Sequence, residues 1–235
     1  MALKAQDVLS RASVTLQDDG FVRWTLPELL TYLNDGMREI AIVRPEAVAQ
    51  TLELAMQEGT LQTLATAHIQ LIRAIRNLDT LDADPEGRAG GRAITVVSRT
   101  TLDVTMPGWQ DPDVLAYAKN VQHVIQDTMN PRAFYVVPGN DGTGTIEVLM
   151  AVMPTDVPLP AQPYNIENYT ADLEIPQMHR AALVDYVMYR AYLKDTGDPN
   201  NAARADRHMN MFRTSLGLRT ESEATHNVKS TPKTA

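Results

Sequence analysis

The sequence predicts an α+β fold, with helices toward both ends of the chain and a β-rich middle. Three observations carry this prediction. Residues 27–43 and 176–217 repeat apolar side chains at helical spacing. Residues 47–172 break into short runs rich in β-branched residues, bounded by Gly, Pro, Asn and Asp. No internal repeat divides the chain.

The N-terminal elements read as helices. "DVLSRA" fits a short amphipathic helix, and "DDG" at 18–20 a turn. In "WTLPELLTYLNDGMREIAIVRP", Thr25 and Glu28 have the spacing of a capping box and Pro27 sits in the tolerant first turn. Leu29, Leu30, Leu33, Met37, Ile40 and Ala41 then mark one apolar face. Pro45 stops the helix, because it pushes Arg44 out of the α region.

The middle reads as strands. "TLELAMQEGTLQTL" gives two short strands around Gln57-Glu58-Gly59, with a helix also open to its first half. "IQLIRAIRNL" suits strand or helix, and its flanking turns favour strand. "DADPEGRAGGR" is a loop by composition, "AITVVS" a strand, and "RTTLDVTMPGWQDPD" a short helix stopped by Pro107 and Gly108. "NVQHVIQDT", "RAFYVVPG" and "GTIEVLMAVMP" predict a three-stranded meander, its second turn "PGNDGTG" being a flexible hairpin tip. The passage "PTDVPLPAQPYN", with prolines at 154, 158, 160 and 163, is an extended connector.

Two helices follow. Pro176 opens the first, which runs to about Asp195 and ends at Gly197 as its C′ residue. Asp198 caps the second, with Pro199 at its first position and Ala202, Ala205, Met209, Phe212 and Leu216 as its buried stripe. From Leu218 onward almost no aliphatic residue remains. Such a tail cannot offset its own ordering cost without a partner.

Composition excludes several function classes. The 235 residues suffice for one sizeable core. No apolar run approaches the roughly 20 residues of a membrane span, and "MALKAQDVLSRAS" is polar where a signal peptide needs its apolar core. The absence of cysteine excludes disulfides, thiolate metal sites and a cysteine nucleophile. A formal net charge of −8, with no Lys/Arg cluster, argues against a protein that grips phosphates.

No motif nominates catalytic, cofactor-binding or metal-ligating residues. "LKDTGDPNNAARADRH" at 193–208 packs three aspartates and a histidine together, yet Asp206 and His208 lie about 200° apart on a helix and cannot share a metal. The stretch reads as a helical corner. "GNDGTGTIE" lacks the Lys-Ser/Thr of a phosphate loop, and the histidines at 68, 123, 179, 208 and 226 are scattered. No serine sits in a G-x-S-x-G elbow.

The helix at 176–195 stands out. Leu183, Val184, Val187, Met188 and Leu193 spread round its axis, and Tyr186, Tyr189 and Tyr192 drift along one side. A helix apolar on all sides must be covered on all sides. Two readings satisfy that: a central helix of the chain's own core, or a subunit interface built on Leu183, Tyr186, Met188, Tyr189 and Tyr192. Tyrosine is enriched at interfaces because its ring is apolar and its tip hydrogen-bonds.

In their order, "RWTLPELLTYLNDGMREIAIVRPEA" (23–47), "RNLD" with "GRAI" and "LDVTMPGW" (76–109), "FYVVP" (134–138) and "HRAALVDYVMYRAYLKDTGDPNNAARADRHMNMFRTSLG" (179–217) resemble a known family. It is the head-to-tail adaptor, or connector, proteins of tailed double-stranded DNA phages, chiefly the short-tailed type. The resemblance covers nearly all of residues 1–217. It implies one adaptor domain over 1–217, a helical bundle from parts 1–45 and 174–217 with a β-rich insertion at 46–173, and a flexible tail at 218–235. It further implies a ring, commonly of twelve subunits, under the portal protein. The ring extends the DNA channel, joins it to a tail or nozzle protein and helps retain the genome, which passes the lumen without sequence-specific binding. The implied location is the virion head-tail interface, and the host cytoplasm during assembly. Enzymatic activity, cofactors and membrane contact are not implied. By position the tail, with Leu218, Arg219, Val228 and Lys229, is the candidate portal-docking segment. The competing expectations are another virion component, such as a tail-completion or tail-tube protein, and a non-enzymatic ligand-binding module.

Overall fold

The structure, a computed structural model, describes residues 2–79, 90–127, 129–194 and 199–218. It is mixed α+β. In chain order the elements are α1 (Ala5–Leu16), α2 (Leu26–Val43), β1 (Ala49–Ala55), β2 (Gly59–Thr63), β3 (His68–Leu78), β4 (Gly90–Ala93), β5 (Thr95–Val96), α3 (Arg99–Thr105), β6 (His123–Gln126), β7 (Ala133–Asn140), β8 (Thr145–Val152), α4 (Arg180–Lys194) and α5 (Pro199–Ser215). Two compact units divide the chain. One joins Met1–Arg44 to Pro154–Ala235, and the other is Pro45–Met153.

In the helical unit, α4 packs against α1, α2 and α5. α2 meets it with the predicted stripe Leu29, Leu30, Leu33, Met37, Ile40 and Ala41, all buried. Gly36 lies where the two helices approach closest, since a Cβ there would stand 3.0 Å from the Tyr186 ring. α1 adds Val8, Leu9, Ala12 and Leu16, and α5 adds Ala205, Phe212 and Leu216. Most of the apolar surround of α4 is therefore met within its own unit, with Leu193 left exposed, and each fully buried aliphatic contributes about 1.5–3 kcal/mol.

Polar groups fix the helix ends. The Trp24 indole N–H donates to the Ala191 carbonyl at 3.0 Å, tying the start of α2 to α4. Between α1 and α2, the Asp18 carboxylate accepts the backbone N–H groups of Val22, Arg23 and Trp24, each at 2.9 Å. Burial pushes this carboxyl up, but the three N–H groups and the nearby Arg23 charge together hold it below its ordinary value. A carboxyl depressed in the folded state adds stability above its unfolded value of about 3.9 and loses it as pH falls through the folded one. Trp24 fluorescence followed through that acid range should show a transition. The transition should be missing in Asp18→Asn, which keeps only one acceptor oxygen.

The β-rich unit holds two four-stranded sheets. In the first, order β1-β8-β3-β4, all pairs are antiparallel. In the second, order β2-β7-β6-β5, only the β5–β6 pair is parallel. Leu71, Ala74, Ile146, Val148 and Met150 from the first sheet and Val124, Phe134 and Val136 from the second form one core. The alternation along β7 turns Tyr135 and Val137 the other way. There they pack with Leu102 of α3, Trp109 and Ile125 in a second, smaller cluster.

Several expectations are corrected. The three-stranded meander does not form. β7 pairs with β6, whereas β8 runs between β1 and β3 in the other sheet, so residues 141–144 cross between sheets rather than close a hairpin. That crossover is pinned by Asn140, which is fully buried. Its Oδ1 accepts the N–H groups of Gly142 and Gly144 at 2.9 and 3.1 Å, and its Nδ2 donates to the carbonyls of Ala118 and Lys119 at 3.2 and 2.8 Å. β1 and β2 are the two expected strands, but they enter different sheets. Gln62 holds the turn between them, bonding Gln57 through both its amide atoms.

In the helical unit the expected capping box does not form: the Thr25 hydroxyl makes no cap bond, and the Glu28 carboxylate bonds Tyr32 and Lys194 instead of the Thr25 N–H. Pro176 has an extended ψ of 144°, so a 3-10 turn at Gln177–His179 precedes α4. Ala202 is exposed, and Asn201 is the buried residue one turn before Ala205. The proline-rich passage carries no regular element over 154–160 and then turns at 161–164, and residues 154–173 fall in the same compact unit as the helices. Asn34 on α2 exchanges two hydrogen bonds with the Val157 backbone, at 3.0 and 3.2 Å, and Arg38 pairs with Asp156. Asp195, Gly197 and Asp198 lie outside the described residues, as does the loop at 80–89.

Candidate functional site

The surface most suited to recognition is a groove of about 620 Å³ formed by α2, α4 and α5. α2 supplies Tyr32 and Glu39, α4 supplies Tyr186, Tyr189, Arg190, Leu193 and Lys194, and α5 supplies Met209. Helical spacing brings these together. Tyr186, Tyr189, Arg190 and Leu193 fall at i, i+3, i+4 and i+7 on α4, and therefore share a face.

The floor is aromatic. Tyr186 meets Tyr189 edge-on, with ring centroids 5.9 Å apart, and tilts against Phe212 at 5.2 Å. The rim is charged, and Arg190 and Lys194 are paired within the unit. Arg190 reaches Asp35 at 3.2 Å and lies 5.2 Å from the centre of the Tyr32 ring. Glu28 accepts a hydrogen bond from the Tyr32 hydroxyl at 2.9 Å and one from Lys194 Nζ at 2.6 Å.

Burial, with the Glu28 hydrogen bond and charge beside it, pushes the Tyr32 hydroxyl up to about 12. Burial likewise raises Tyr186. Both hydroxyls therefore stay protonated near neutral pH; Tyr32 donates to Glu28, and Tyr186 accepts from Arg190 at 3.5 Å. Among the described residues, nothing bonds the Tyr189 hydroxyl, which stands at the groove half-buried. Tyr, Arg and Met with few free charges is the composition of an interface core, not of a catalytic pocket.

The five interface candidates divide. Leu183 and Met188 are fully buried beneath α5, α2 and α1, and Tyr192 is nearly so, stacked on His208 with centroids 5.7 Å apart. Tyr186 is 6% exposed and forms the groove floor, leaving Tyr189 as the candidate most open to a partner. Sequence reasoning did not include Tyr32, Arg190 or Met209 in this surface. The available signal was the polar-aromatic edge of α2, where Tyr32 follows Glu28 by one turn. In the tail, Leu218 is exposed, while Arg219, Val228 and Lys229 lie outside the described residues.

The histidines do not converge. His208 Nδ1 is 2.8 Å from Asp185 Oδ1, a partly buried pair joining α5 to α4. His123 Nδ1 meets the Thr95 hydroxyl at 2.7 Å. Among the described residues no group of three or more His, Asp or Glu could hold a metal ion. No described helix is long and apolar enough to cross a membrane.

No curated protein matches this sequence. A family model described as SU10 adaptor protein matches residues 3–232, nearly the whole chain. The aromatic floor of the groove suits a surface that works by contact. The chain belongs to the SU10 adaptor protein family, and is thereby a structural head-to-tail adaptor of a phage virion rather than a member of an enzyme class.

Proposed function

We propose that this adaptor assembles as a ring, commonly of twelve copies, beneath the portal of a short-tailed phage. There it prolongs the DNA channel and carries the tail or nozzle protein. The observation that carries the ring is the groove around Tyr189: an aromatic floor, a hydroxyl with no partner among the described residues, and a rim where Arg190 pairs with Asp35 and Lys194 with Glu28. Tyr, Arg and Met, which line this groove, are residue types enriched where protein surfaces meet. The net charge of −8 fits a channel wall that lets DNA slide, since a basic lining would bind phosphates.

Sedimentation of the purified chain, alone and mixed with its portal protein, tests this reading. A large defined complex in either condition supports it, and a monomer in both overturns it. The portal-facing part is assigned to the tail. Deleting residues 219–235 should leave the melting temperature within about 2 °C, because the cut falls beyond the Leu218 amide that bonds the Arg213 carbonyl. The same deletion should weaken association with the portal at least tenfold. An unchanged association would place the docking element elsewhere.

A further inference from the structure

The groove has a structural counterpart on the same chain. Residues 157–169 form an exposed strap with no regular structure beyond the turn Ile166–Asn168. Asn34 clamps it at the Val157 backbone. At its far end the buried Tyr169 donates its hydroxyl to the Pro163 carbonyl at 2.8 Å, and Asn168 Nδ2 donates to the Gln162 carbonyl at 3.1 Å. Between these clamps Pro158, Pro160 and Pro163 fix the backbone further. Yet the strap presents Leu159 at 55% and Tyr164 at 81% exposure. A pinned segment holding out large apolar side chains has already lost the freedom that binding would otherwise cost.

Its chemistry fits the groove. Proline-rich segments dock into aromatic-lined grooves, because they are preordered and carry acceptor carbonyls with few N–H groups. Here the groove offers three tyrosines and, at Tyr189, a donor without a partner among the described residues. Its volume of about 620 Å³ lies in the range that encloses a short apolar segment, roughly 300–1,000 Å³.

The strap cannot fill the groove of its own copy. It is anchored to α2 through Asn34, which stands about 200° round the helix from Tyr32. From there it runs to the start of α1, where the Gln6 N–H bonds the Tyr169 carbonyl. Strap and groove thus lie on different flanks of one unit. Two different complementary patches make a head-to-tail contact, which closes into rings when the rotation permits.

We propose that the strap at 158–164 of each copy lies in the Tyr32–Tyr186–Tyr189 groove of its neighbour, with Leu159 as the buried anchor. This rests on the ring reading above and specifies its contact. The lack of cysteine allows a clean test. Ala161→Cys marks the strap and Arg213→Cys, one turn beyond Met209 on α5, marks the edge of the groove, both at exposed positions outside the groove lining. The two variants are mixed with portal protein, checked for assembly by sedimentation, then oxidised.

The expected result is a mixed disulfide dimer as the main covalent product, with little dimer from either variant alone. The double variant should give a ladder of higher oligomers. Leu159→Asp should weaken assembly at least tenfold, and Leu159→Met should leave it within about threefold. Assembly without the mixed crosslink, or with either variant preferentially pairing with itself, overturns the proposed contact while leaving the ring standing. Failure of the unmodified chain to assemble overturns the ring itself, and this contact with it.

Discussion

Met188→Asp is expected to unfold the helical unit, while Tyr189→Asp leaves it folded but unable to assemble. The two positions are adjacent on α4, and both belonged to the sequence-derived interface set. Met188 is fully buried, and α1, α2 and α5 pack round its helix. A carboxylate there loses its hydration, finds no partner and removes a core side chain. The expected cost is about 4 kcal/mol or more, a large share of the roughly 5–15 kcal/mol that stabilises a domain. Tyr189 is half-buried at the groove, so its aspartate keeps contact with water and should cost the fold about 1 kcal/mol. Circular dichroism melts of both variants, read beside sedimentation with the portal, separate these outcomes. Equal loss of helicity in the two would mean that Tyr189 belongs to the core.

Asn140→Ala should destabilise the β-rich unit by about 3–5 kcal/mol, the largest effect expected from a neutral truncation there. The side chain satisfies two backbone N–H groups and two carbonyls in a fully buried setting. Each buried group left without a partner costs about 1–3 kcal/mol. Asn140→Asp should be no milder, since its carboxylate would face the Ala118 and Lys119 carbonyls. Urea titrations of both variants against the unmodified chain measure the effect, and a loss below about 1 kcal/mol in both would show that water replaces the amide. The crossover has little room to rearrange. A Cβ on Gly144 would stand 2.3 Å from the Lys119 carbonyl oxygen, and one on Gly139 would stand 2.4 Å from the Tyr117 ring.

These two sites also mark where sequence reasoning succeeds and where it stops. α2 was legible because its signals are local: a helical stripe, a first-turn proline and a terminating proline agree, and the observed span Leu26–Val43 follows them closely. The strands of the middle were legible as strands for the same reason. Their pairing was not. Which neighbour a strand takes depends on contacts far apart in sequence, so "FYVVPGNDGTGTIEVLM" looks like a hairpin while its halves enter separate sheets.

α4 carried the same ambiguity in another form. Its sequence required cover on every side, and nothing local said whether that cover was the chain itself or a second copy. The tertiary structure answers residue by residue. Leu183 and Met188 are enclosed by helices of their own unit, whereas Tyr189 and Leu193 stay open beside Tyr32, which lies more than 150 positions earlier.

The sequence by itself determined the α+β class, the order of the helices, the irregular proline passage and the absence of cysteine chemistry, since each depends on composition or short-range spacing. Only the tertiary structure decided the split of the strands between two sheets, the attachment of the proline strap to α2 and the making of one groove from three helices. Burial, unlike periodicity, is a property of what the folded chain places opposite each face.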